Sequence, residues 1–157
     1  AWIPPAMMMM DAFAAQIANG NVGELRFVEP QVLQKTPREY WQSNCAVAAS
    51  FLHRDDCRRR EHVGVGKIMW GSDYPHLEGT FPFSKEGIAM TFADVPTEEV
   101  AAMLGGNAAA LYGFDLDALA PLAAECGPEV ETVAAGLERV PDGATSMAFR
   151  PSAISNV

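Results

Sequence analysis

Two short apolar runs separated by a polar, helix-forming stretch constrain this chain more than any other feature. Residues 44–52 (NCAVAASFL) are an unbroken run of small apolar side chains ending on Phe51 and Leu52, and residues 67–70 (KIMW) are a second run that stops at Gly71. Between them, Asp55 and Asp56 come first and Arg58, Arg59, Arg60 and His62 come last, the order of charge that a helix dipole favours. Runs without apolar–polar alternation suit strands buried on both faces. A strand, a helical crossover and a second strand describe a parallel βα unit and not a hairpin. The fold class is therefore α/β.

The flanks are helical. Pro4 and Pro5 open a helix over residues 5–18 that Asn19-Gly20 stops. With Met7, Met8, Met9, Met10 and Phe13 broken only by Asp11 and Gln16, its apolar face predicts packing on more than one side, with methionine filling core space. Residues 20–42 carry Gly20, Gly23, Pro30 and Pro37 without a sustained period and read as a long loop with short ordered pieces. Beyond the second run, Ser84 is expected to cap a helix reaching residue 93, and Pro96-Thr97-Glu98-Glu99 opens another that Gly105-Gly106 ends. Asn107 is expected to cap a short helix to Tyr112, and further helices are expected over 117–126 and, weakly, to 140. One domain over residues 1–140 and a mobile tail over 141–157 complete the expected organisation.

Charge and cysteine content narrow the function classes. Twenty acidic against eleven basic residues, a formal net charge of −9, argue against nucleic acid or anionic lipid as partner. The three cysteines, Cys45, Cys57 and Cys126, form no paired spacing, which fits neither a disulfide framework nor a cysteine-rich zinc site and suits a reducing cytoplasmic setting. The first residues do not form a signal peptide, and no run reaches the roughly 18 apolar residues of a membrane span. The chain starts on Ala and enters directly on a dense apolar segment, as though it begins in the middle of a longer protein. A Gly-rich phosphate loop is absent, which disfavours a generic nucleotide-binding α/β domain.

The chemistry concentrates where the second strand ends. In parallel α/β folds the C-terminal ends of strands face the ligand site. Asp73 falls at that place, with His76 and Glu78 in the same loop. A carboxylate there can bind a divalent metal or accept a proton from activated water, and it can equally form an Asx turn before Pro75. His53 reads as a surface or capping histidine, His62 as a helix-end residue, Arg58, Arg59 and Arg60 as a solvated helix face, and Cys45 and Cys57 as inert.

Residues 68–76 (IMWGSDYPH), followed by 78–82 (EGTFP) and 106–115 (GNAAALYGFD), resemble the C-terminal part of the amidohydrolase-related (amidohydrolase 2) family. Residues 1–11, 36–41 (TPREYW, with Arg38 where serine is usual), 119–123 (LAPLA) and Gly127-Pro128 extend the resemblance to roughly residues 1–145. The resemblance implies a (β/α)8 TIM barrel that binds a divalent metal and hydrolyses or decarboxylates small, often aromatic, acids. It makes residues 44–52 the seventh strand and 67–71 the eighth, with terminal helices following. It makes Asp73 the metal ligand and proton-transfer group, and His76 a second catalytic residue facing the substrate or supporting the ligand.

The family's first strand carries a His-x-His pair, whereas the histidines here are His53, His62 and His76. A catalytic metal takes about three protein ligands, and a barrel takes eight strands and about 250 residues. The expectation is therefore the last third of a barrel, a fragment of a metal-dependent hydrolase or decarboxylase using zinc first or manganese second. Its partners are a small-molecule substrate and either further copies of itself or a completing chain. The alternative is an inactive remnant, or a partner-dependent structural chain without metal.

Overall fold

The computed structural model describes residues 2–20 and 33–152. Two compact units are present, residues 1–46 and 47–157. In the first, helix α1 (Ile3–Ala18) begins with Pro4 and Pro5 in its first turn and ends at Asn19, with Gly20 at φ +72°. Proline is tolerated there because the first-turn N–H groups have no intrahelical partner. The expectation that α1 packs on more than one side is not met: Ile3 is its one buried residue, and Met8, Met9, Met10 and Phe13 are exposed. Helix α2 (Pro37–Asn44) starts on a capping box. Thr36 Oγ1 accepts from the Glu39 N–H at 3.2 Å and the Glu39 carboxylate accepts from the Thr36 N–H at 2.7 Å. Arg38 of α2 donates through N and Nε to the Asp11 carboxylate of α1, at 3.1 and 3.0 Å. The rest of the expected 20–42 loop, residues 21–32, lies outside the described residues.

The second unit is built on a parallel pair, β1 (Val47–Ser50) and β2 (Ile68–Gly71), in register Val47↔Ile68 through Ser50↔Gly71. This is the α/β grammar expected, with helices α3 (Arg54–Cys57) and α4 (Arg60–Val63) in the crossover. The first strand is shorter than the apolar run and is not buried on both faces: Val47 and Ala49 are half-buried, Ala48 and Ser50 exposed. Asn44 instead belongs to α2, and Phe51, at φ +41°, terminates the strand. Helix α5 (Ser84–Phe92) packs against α3 and α9 (Val130–Ala135), and α6 (Thr97–Ala101) leads into a π-helical turn that packs on β2. Leu52, Cys57, Ile68, Ile88, Phe92, Val100, Met103 and Val133 form the core.

Several boundaries differ from expectation. Ser84 is the first helical residue of α5, not its cap, and its hydroxyl meets Thr80 Oγ1 at 3.0 Å. Gly105-Gly106 does not stop a helix: α6 runs through a π-helical turn (Ala102–Gly106) directly into α7 (Asn107–Tyr112). Asn107 consequently caps nothing. Helix α8 (Leu116–Cys126) is capped by Asp115, whose carboxylate accepts from Asp117 and Ala118. The stretch expected as a tail from residue 141 carries a 3₁₀ turn (Met147–Phe149) with Ala148 and Phe149 buried, because one aromatic ring supplies enough apolar area to anchor it. Gly87 allows this: a Cβ there would stand 3.2 Å from Thr80 Cγ2 and 3.5 Å from Phe149 Cζ. Residues 153–157 lie outside the description.

Candidate functional site

The site grows out of the end of β2. Gly71 closes the strand, and Asp73 follows in the left-handed region at φ +61°, a conformation that aspartate visits more readily than most residues. From there the chain folds back on itself. The His76 N–H donates to the Asp73 carbonyl at 2.8 Å, the Gly79 N–H to the His76 carbonyl at 3.0 Å, and the Thr80 N–H to the Ser72 carbonyl at 2.8 Å. Glycine is required at 79. A Cβ would lie 2.6 Å from the Ser72 oxygen and 3.0 Å from those of Asp73 and His76. Thr80, 1% exposed, locks the far end of the loop to α5 through Ser84.

This frame brings three side chains together. His76 Nδ1 is 3.2 Å from Asp73 Oδ2. One donor atom each from Asp73, His76 and Glu78 lies within 4.8 Å of the others. Asp73 is half-buried, His76 and Glu78 exposed. Tyr74, within the loop, and Phe81, just beyond it, form an edge-to-face pair with ring centroids 4.9 Å apart, both exposed. One imidazole and two carboxylates are a donor set suited to zinc or manganese, so the residues present fit the divalent ion that the sequence implies.

The other titratable candidates do not join this cluster. His53 caps α3 by accepting the Asp55 N–H at Nδ1, 3.1 Å, so Nε2 carries the proton and donates to the Arg150 carbonyl at 2.9 Å. The expectation of a capping role stands, and the side chain is only 18% exposed. His62 sits exposed in the last turn of α4. The arginine run is not uniformly solvated. Arg60, 13% exposed, pairs with Glu99 of α6, and Arg58 stands 3.8 Å from Asp55. Cys57 is buried in the core, and loss of hydration pushes its thiol up to about 11, with nearby Arg60 opposing weakly. Two placements were not legible in the sequence. Glu78 was visible only as a loop neighbour, and Asn107 donates from Nδ2 to the carbonyls of Val65 and Ile68.

Residues 57–114 match the model of a family described as Amidohydrolase. The matched stretch contains β2, the Asp73 loop and helices α5 to α7, and there the chain is similar to that family. The segments at 1–11, 36–41, 119–123 and 127–128 that carry the wider resemblance lie outside it. No curated protein and no solved structure matches the chain. Among the described residues, no helix is long and apolar enough to cross a membrane.

Proposed function

We propose that this chain is the C-terminal part of a metal-dependent hydrolase or decarboxylase acting on a small, often aromatic, acid, with β1 and β2 as the last two strands of a (β/α)8 barrel. The observation that carries the reading is Asp73 standing two residues beyond β2 within an amidohydrolase-related stretch. A carboxylate half-buried at a strand end and held in a left-handed conformation is the kind of local strain found at functional sites.

Asp73 would hold the ion and serve as the proton-transfer group. A bound divalent ion supplies Lewis-acid polarisation of a substrate oxygen and lowers the pKa of water. In hydrolysis, Asp73 takes a proton from the attacking water; in decarboxylation, it hands one to the substrate carbon. His76 steadies Asp73 from 3.2 Å, and Tyr74 and Phe81 offer ring faces to an aromatic substrate. The chain loaded with zinc or manganese should turn over small amides or aromatic carboxylic acids, and Asp73→Asn should remove that activity. Equal rates in the two proteins would refute the assignment.

A second reading has its own observation. Among the described residues the sheet has two strands, each with one unpaired edge. Unpaired edges invite a further strand, so a completing chain or a second copy is the partner this reading requires. Turnover by the purified chain alone would exclude it.

A further inference from the structure

We propose that the segment over residues 145–152 is a strap that ties the Asp73 loop to the end of β1, with Phe149 as the residue that positions the loop. The proposal rests on the function above only in taking the Asp73 loop as its working part. It gives a role to a stretch that reads as a tail in the sequence.

The segment reaches the C-terminal ends of both strands. At one end the Thr145 hydroxyl donates to the Leu77 carbonyl, inside the loop that follows β2, at 3.5 Å. At the other, His53 Nε2 donates to the Arg150 carbonyl at 2.9 Å, and the Ser152 hydroxyl donates to the Asp55 carboxylate. Both of those partners lie just beyond β1. Between its ends the segment is buried, with Ser146, Ala148 and Phe149 at 3%, 1% and 7% exposure. Order so close to a terminus takes ties of this kind.

Phe149 carries the tie to the loop. Its ring and Thr80 crowd onto one glycine of α5: a Cβ at Gly87 would stand 3.5 Å from Phe149 Cζ and 3.2 Å from Thr80 Cγ2. Thr80 donates its N–H to the Ser72 carbonyl at 2.8 Å and meets Ser84 Oγ at 3.0 Å, so it links the start of the loop to α5. Removing the ring would leave apolar space beside Thr80 and release the loop from α5. Helix α5 bridges the same two strand ends, since Thr91 near its far end donates to the Leu52 carbonyl at 2.8 Å. The strap thus closes over a helix that already joins them. A working site holds its groups to about 0.5 Å, which takes support of this kind behind the side chain that does the chemistry.

The test is amide hydrogen exchange, followed by NMR, on the full chain and its variants. It reads the N–H groups of His76, Gly79 and Thr80, which donate to the Asp73, His76 and Ser72 carbonyls, with Val100 and Gly113 as controls. Phe149→Ala should speed exchange at Gly79 and Thr80 by at least about tenfold beyond any change in the controls, and Phe149→Leu should restore most of the protection. His53→Asn acts from the opposite end. Asparagine keeps an acceptor for the Asp55 N–H, so α3 retains its cap, but it is too short to reach the Arg150 carbonyl. Loss of that one hydrogen bond should speed exchange at Thr80 by roughly twofold to tenfold. His53→Asn decides even where Phe149→Ala destabilises the whole fold. Faster exchange at Thr80 supports the strap, and parental rates at residues 76–80 overturn it, leaving α5 alone to hold the loop. Asp73→Asn separates this from the function above: if that variant keeps turnover while the strap variants loosen the loop, the catalytic assignment fails and the strap stands.

Discussion

Asn107 Nδ2 lies 2.7 Å from the Ile68 carbonyl oxygen and 2.8 Å from that of Val65. One amide group at the start of α7 thereby pins the first residue of the strand that delivers Asp73. Both protons of that amide are used. Asn107→Ala removes the donors of two carbonyls and should cost about 1–3 kcal/mol in urea unfolding. Asn107→Asp should cost more than Ala, because it sets a carboxylate against two carbonyl oxygens. The order parent, Ala, Asp in unfolding midpoints checks the assignment.

Asp73 separates stability from chemistry. At φ +61° an ordinary residue is strained, on the order of 1 kcal/mol, and glycine is not. Asp73→Gly should therefore unfold at the same or a higher denaturant concentration than the parent, while losing metal binding and turnover. A lower midpoint would mean that the carboxylate holds the loop together and is not there for chemistry.

Gly79 makes the opposite prediction. A methyl group there would stand 2.6 Å from the Ser72 oxygen, closer than any real contact, so the loop must open. Gly79→Ala should lower stability by about 1–3 kcal/mol and weaken metal binding, although no ligand is altered. Retention of parental binding would show that the turn does not set the positions of Asp73 and His76.

The parallel pair, and the position of Asp73 just past its end, were legible in the sequence because each rests on local signals: an apolar run, a polar crossover and an abrupt stop at Gly71. The buried character assigned to residues 44–52 failed because alanine scores as apolar on either face. Alternation at Val47, Ala48, Ala49 and Ser50 is thus invisible in composition. Helix α2 did carry a local signal, Thr36 with Glu39 three residues on and Pro37 between, which the surrounding glycines and prolines obscured. Gly105-Gly106 reads as a stop, yet the chain absorbs both residues in a π-helical turn. Asn107 and Arg60 could not be placed from sequence at all. Their partners lie 39 to 42 residues away, and only folding brings them together.

Cysteine reactivity should divide two to one. Cys45 and Cys126 are exposed, and Cys57 is buried with its thiol raised from 9.0 to about 11. At pH 8, alkylation followed by mass spectrometry should label the first two in the folded chain and Cys57 only after unfolding. The linkage has a sign. Between pH 9 and 11 the unfolded chain releases the Cys57 proton more readily than the folded chain, so stability falls as pH rises through that window. Cys57→Ser, whose hydroxyl does not ionise there, should lessen the fall. An identical slope in both proteins would exclude Cys57 as its source.

The Arg60–Glu99 pair joins the crossover to α6 with the arginine only 13% exposed. A pair so placed contributes less through attraction than its loss would suggest, because removing one member strands the other away from water. Glu99→Leu alone leaves the guanidinium without its carboxylate and should lower stability by about 2–4 kcal/mol, toward the lower end because Glu99 is 30% exposed. The double variant Arg60→Leu with Glu99→Leu removes the stranded charge and adds apolar surface beside Cys57 and Val100, so it should recover most of that loss. Urea unfolding of the parent, both single variants and the double variant gives the coupling energy directly. If the double variant is as unstable as the sum of the singles, the two side chains act independently and the ion pair does not hold α6 against the crossover.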